Sequence, residues 1–133
     1  MTDSRDDLVG YRLERAADAL EDARILAQAE RWDACMSRLY YACFYAVSAL
    51  LSKYDLSSSK HTGVRSLFNQ HLVKTGIVRK DLAVVFNDLF ERRQKSDYLD
   101  FHHFEENQVL PWISRVEVFL DEIGSRALST ADG

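Results

Sequence analysis

From Ser37 to Leu51 the chain reads SRLYYACFYAVSALL, fifteen residues with a single charge and neither glycine nor proline. Wound as a helix, the segment puts Leu39, Cys43, Ala46 and Leu50 on one stripe and Tyr40, Phe44, Val47 and Leu51 on the next, so apolar side chains cover most of its circumference. So short and tyrosine-rich a segment falls below the roughly 20 mostly apolar residues of a bilayer span. It must be enclosed by protein instead. A chain of 133 residues can do this only by wrapping other helices around it or by sharing it with a second copy of itself.

With one proline and five glycines, the chain has little material for the turns of an all-β fold, and its periodicity is helical throughout. The spacing predicts a first helix over Asp6 to Ala29, with Leu8, Leu13, Ala16, Leu20, Ala23 and Ala27 facing inward. ERWD around Trp32 reads as a short connection into the apolar helix, which ends near Lys53 and Tyr54. The serines of Asp55 to Ser59 suit the N-cap of a third helix over Lys60 to Val73, closed by Gly76. A fourth helix spans Arg79 to Lys95 and carries Leu82, Val85, Phe86, Leu89 and Phe90 at core spacing. A fifth spans Phe104 to Ile123, where Pro111 should kink the helix or mark its start. The fold class expected is all-α: an antiparallel up-and-down bundle of four to five helices, dimeric, in one domain over 1–123 with a flexible tail over 124–133.

At this length the domain buries about two-thirds of the surface its unfolded chain exposes, and so needs no disulfide or metal for stability. Cys35 and Cys43 stand eight residues apart on one predicted helix, about 12 Å along its axis and beyond disulfide reach. They read as reduced thiols of a cytoplasmic protein. MTDSRDDLVG has neither the basic nor the apolar segment of a signal peptide, and no membrane anchor is expected. A net charge of −4 argues against a generally basic nucleic-acid binder but leaves room for a local patch, for which Arg79, Lys80, Arg92, Arg93 and Lys95 are candidates. Phe86 and Phe90, interleaved with that patch, fall at core spacing and read as buried rather than stacked on bases.

The succession SRLYYACFYAVSALL, KHTGVRSLF, LVKTG and LFERRQKSDY resembles the HEPN superfamily, and within it the UPF0332-like branch of small prokaryotic proteins. The likeness runs from about Arg38 to Tyr98 and implies a dimerising helical bundle, often encoded beside a minimal nucleotidyltransferase. Many HEPN proteins are metal-independent ribonucleases acting as toxins or defence effectors. Their signature is an Arg, then a polar residue, then after a short spacer a His. Arg93 and Gln94 fit the first half. At the place of the histidine the chain instead has Tyr98 to Asp100, and the next histidine is His102.

Metal-free RNA cleavage needs a base for the 2′-hydroxyl proton and a donor that stabilises the phosphorane; histidine, with an ordinary pKa near neutrality, suits the first role. Arg93 supplies the planar fork of donors for the second. Asp97 or Tyr98 would need a large pKa shift to act as the base, whereas His102 or His103 could fold back, or His61 could arrive from another helix. The resemblance also makes Tyr98 a candidate acceptor of a nucleotide added by the partner. Arg38 joins Arg93, His61 and Gln94 as a candidate RNA or nucleotide ligand.

Each of these residues also has a plain structural reading. Arg93 and Asp97, four apart, can form a solvent-exposed ion pair. Tyr98 can pack its ring at the core edge, and His61 can serve at a helix start. Arg38, Tyr41, Ala42 and Tyr45 share a stripe that suits a dimer seam. Adjacent His102 and His103 point about 100° apart on a helix, unlike a zinc-binding pair, and no metal or cofactor is expected. Two functions stand side by side: an RNA-cleaving or RNA-binding toxin-like subunit with a nucleotidyltransferase partner, and a non-enzymatic helical adaptor or nucleotide-binding module acting through its dimer surface.

Overall fold

Helix follows helix through the computed structural model, which describes the backbone of residues 2–98 and 103–129 and the side chains of residues 4–94 and 103–129. The elements are α1 (Thr2–Gln28), α2 (Trp32–Lys53), α3 (His61–Leu67) continued by a π-helical turn (Phe68–Val73), α4 (Lys80–Tyr98) and α5 (Glu106–Leu128). The fold is all-α, a bundle in which α1, α4 and α5 pack around α2.

Thirteen of the 22 residues of α2 are buried, which explains a helix as long and apolar as a membrane span: its apolar surface faces neighbouring helices. Small side chains let α1 approach closely along its length. Ala16, Ala19 and Ala23 of α1 and Ala42, Cys43, Ala46 and Ala49 of α2 are all buried. The Cys35 thiol donates to the Ala23 carbonyl at 3.2 Å. Larger side chains fill the rest of the core, with Met36, Leu39, Leu50, Phe68, Phe86, Leu89, Phe119 and Ile123 fully buried.

Several boundaries differ from the sequence expectation for identifiable reasons. Trp32 opens α2 rather than lying in the connection, which is confined to 29–31. That tight hairpin is made by Glu30 at φ 57, with Arg31 N–H donating to Leu26 O at 2.9 Å and Glu30 N–H to Ala27 O at 3.0 Å, a Schellman closure without glycine. Asp55, at φ 59, closes α2 in the same way through Leu56 N–H to Leu51 O at 2.9 Å. The serines before α3 do not cap it. Its N-cap is Lys60, and Ser58 Oγ accepts the Lys60 N–H at 3.2 Å. Pro111 lies inside α5, whose start is fixed upstream by Gln108 accepting the Glu105 N–H at 2.8 Å. The last helix also runs beyond the expected tail boundary to Leu128, because Ala127 still reaches the core. In α1 the inward positions include Val9 and Ala19, while Leu8 is 41% exposed and Leu13 only half-buried. Gly76, at φ +86, ends the third helical segment as expected.

Both cysteines are free and buried. Burial pushes the Cys35 thiol up to about 11 and Cys43 well above its ordinary value. Both thiols therefore stay protonated in the fold while the unfolded chain releases their protons near pH 8.5 to 9. Since the folded state then holds more protons, stability falls as pH rises from about 9 towards 11. A thermal melting series across that range should show the loss, and iodoacetamide should leave both thiols unmodified at pH 8 until the protein is unfolded. At the hairpin, Glu30→Gly relieves a left-handed backbone and should raise stability by about 0.5–1 kcal/mol in a urea titration.

Candidate functional site

The aromatic residues of α2 gather side chains from two other elements. Tyr40 is fully buried, and a buried hydroxyl needs a partner. His61, the first residue of α3, supplies it, with Nδ1 2.7 Å from the Tyr40 hydroxyl oxygen. The imidazole stacks on Phe44 with ring centres 4.3 Å apart and stands edge-on to Tyr41 at 5.8 Å. From α4, the Arg93 guanidinium lies 5.1 and 5.2 Å from the ring centres of Tyr40 and Tyr41, and its Nη2 donates to the Tyr41 hydroxyl at 3.1 Å. Arg38, one turn before Tyr41, covers the same ring at 4.8 Å.

Local sequence explains how each group arrives. A spacing of three along α2 sets Arg38, Tyr41 and Phe44 in succession on neighbouring turns. The chain after α2 must return close against α3 to set His61 at its first position. A Cβ on Gly63 would lie 2.0 Å from Ser58 Oγ and 2.8 Å from Ser58 Cβ, so the glycine in KHTG permits that approach. Arg65, one turn after His61, sits 4.6 Å over Phe90 and donates to Asn87 Oδ1 at 3.1 Å and to Glu91 Oε1 at 2.8 Å. Asn87 and Asn69 exchange amide bonds of 2.9 and 3.0 Å. These bonds tie α3 and its π-helical continuation to α4.

Burial pushes the Tyr40 phenol far above its ordinary pKa, an effect the Arg93 charge partly opposes. A phenol that stays neutral can either donate to His61 Nδ1 or accept from it. In the first case the neutral imidazole carries its proton on Nε2. In the second, Nε2 keeps a lone pair that can take a proton. The arrangement can thus support proton transfer beside two guanidiniums that suit phosphate oxygens.

Of the residues expected at a site, Arg38, His61 and Arg93 come together, all half-buried. Gln94 is half-buried on α4. Asp97 and Tyr98 belong to the last turn of α4, which extends past the expected Lys95, but their side chains lie outside the described residues, as does His102. His103 bonds Asp33 at the start of α2 through Nδ1 at 2.7 Å, and Asp33 also accepts the Phe104 N–H at 2.7 Å. The expected basic patch is divided. Arg79 pairs with Asp81 and Glu122, Arg92 with Asp88, and Phe86 and Phe90 are buried. Sequence reasoning missed Arg65 and the bond from Tyr40, although His61 and Arg65 stand four apart in KHTGVRSLF. Among the described residues, no group of three or more His, Cys, Asp or Glu converges as a metal ion would require.

Replacing Tyr40 by Phe removes the bond to His61 but keeps the ring, so urea unfolding should show a loss of about 1 kcal/mol. Gly63→Ala should cost about 1–3 kcal/mol, because the Ser58 backbone must give way.

A HEPN domain model matches residues 9–126. Among similar proteins, a UPF0332 protein of Thermotoga maritima is 44% identical over 119 residues, 90% of each chain. Two proteins of Methanocaldococcus jannaschii bear the name “putative toxin”. One is 35% identical over 86 residues, 65% of this chain and 58% of its own. The other is 30% identical over 111 residues, 84% and 82% of the respective chains. The family model spans nearly the whole bundle, and the Thermotoga relative matches over nine-tenths of each chain: the chain belongs to the HEPN domain family.

Proposed function

We propose that this HEPN protein is the toxin-like subunit of a two-component, toxin–antitoxin or defence system. It acts in the cytoplasm as a homodimer beside a minimal nucleotidyltransferase, and it binds and cleaves RNA without a metal. The observation that carries the reading is the meeting of His61 with Arg93 across Tyr40 and Tyr41, which supports His61 in the role of the histidine that the sequence after Arg93 does not provide. The name shared by the two Methanocaldococcus relatives supports the toxin role.

In this mechanism His61 takes the proton of an RNA 2′-hydroxyl as its oxygen attacks the adjacent phosphorus. Arg93 and Arg38 stabilise the charge that builds on the non-bridging oxygens. The imidazolium then returns the proton to the departing 5′-oxygen, leaving a 2′,3′-cyclic phosphate and a free 5′-hydroxyl. Tyr98 is the acceptor through which the partner adds a nucleotide. The hold on His61 from both Tyr40 and Phe44 favours a second reading, a non-enzymatic adaptor that uses the same surface for binding alone.

Purified protein incubated with a mixed RNA pool in chelator-containing buffer separates the two. Cleavage to cyclic-phosphate ends is expected, reduced about 100-fold or more in His61→Asn and in Arg93→Ala, with Tyr98→Phe active but refractory to nucleotide transfer. No cleavage by folded protein would retire the nuclease reading and leave the adaptor. Light scattering at micromolar concentration should give a dimer, and a monomer would count against the proposed homodimer.

A further inference from the structure

Five arginines of the bundle, Arg5, Arg24, Arg65, Arg79 and Arg92, each meet a carboxylate. Arg15 does not follow them. Among the described residues its partners are two phenols: Nη1 donates to the Tyr11 hydroxyl at 3.0 Å and Nη2 to the Tyr45 hydroxyl at 2.9 Å. Its guanidinium lies 4.9 Å over the Tyr45 ring and 5.9 Å over that of Tyr11. Arg38 is similar, laid on Tyr41 with no carboxylate partner among the described residues. Tyr11 is 55% exposed, and Tyr45 is half-buried with its ring centre 6.1 Å from Tyr41. Rings and guanidiniums therefore form a continuous track from Tyr11 on α1 through Arg15, Tyr45 and Tyr41 to Arg93 and His61.

We propose that Tyr11, Arg15 and Tyr45 form an accessory subsite for unpaired RNA, on which bases flanking the phosphate held at Arg93 and His61 stack while Arg15 meets the backbone. The inference rests on the RNA-binding reading of the His61–Arg93 cluster and extends it. Its physical basis is that a nucleobase stacks on a tyrosine face whatever its sequence, and an arginine not already paired with a carboxylate keeps its charge for phosphate. Single-stranded RNA is the occupant because bases within an A-form duplex present no free faces. Asp7 and Glu14 stand one turn before and after Tyr11, and Asp18 one turn after Arg15, so acidic side chains flank the track on α1 and limit how far an RNA backbone follows that helix.

The test is fluorescence anisotropy with 2′-O-methyl RNA, which lacks the attacking hydroxyl and so reports binding without cleavage, using a decamer and a dinucleotide. Tyr45→Ala and Tyr11→Ala should each weaken decamer binding about tenfold while leaving the dinucleotide within about twofold. Tyr45→Phe, which keeps the ring, should retain most of the decamer affinity, and Arg93→Ala should weaken both ligands. If wild type and Tyr45→Ala bind the decamer alike, the subsite is overturned while dinucleotide binding still upholds the central cluster. If the tyrosine variants dissociate a dimer without changing RNA affinity, the face is a subunit contact and the subsite is overturned. Absence of binding by both oligonucleotides overturns the subsite together with the reading on which it rests.

Discussion

Enclosure of α2 organises the rest of the molecule. A helix with apolar side chains on nearly every side leaves its neighbours little freedom. The alanines of α1 fit along one flank, where bulkier residues would hold the two helices apart, and α4 and α5 cover the others with phenylalanine, leucine and isoleucine. The close α1–α2 contact explains why the connection between them is only residues 29–31 and why Glu30 accepts a left-handed conformation to make it. Packing over two long helices outweighs a local penalty of about 1–2 kcal/mol.

The candidate site follows from that enclosure rather than being added to it. Tyr40 is carried into the core by the same helix that buries Leu39 and Cys43, yet it brings a hydroxyl that cannot be left without a partner. His61 meets this need, and the loop that delivers it requires the glycine two residues on. The Tyr41 side of α2 is the less covered one, so its hydroxyl and ring receive Arg93 and Arg38 instead. A single turn of α2 therefore joins the interior to a half-exposed cationic surface. The titratable members of the cluster are held by the core itself.

Much of this was legible in the chain. The apolar run named the central helix, the three-and-four spacing of Leu82, Phe86, Leu89 and Phe90 named the buried side of α4, and Arg38, His61 and Arg93 were each recognisable as candidates. What the pattern could not supply was distance. Arg93 is followed closely by no histidine, and linear counting turns attention to His102 and His103. In space His103 bonds Asp33, while His61, thirty-two positions before Arg93, shares its tyrosines. Leu8 faces outward on α1, because apolar identity alone does not say which side of a long helix a neighbour will cover.

By itself the sequence determined that the chain is helical, that α2 lies inside, and that two cysteines on one helix cannot pair, since these follow from side-chain periodicity and the fixed rise of a helix. Only the tertiary structure decided which histidine faces which arginine, which arginines are neutralised by carboxylates, and which are laid on tyrosine rings. Those relations depend on how helices distant in sequence cross and on where their connecting turns reverse the chain, and no local pattern encodes either.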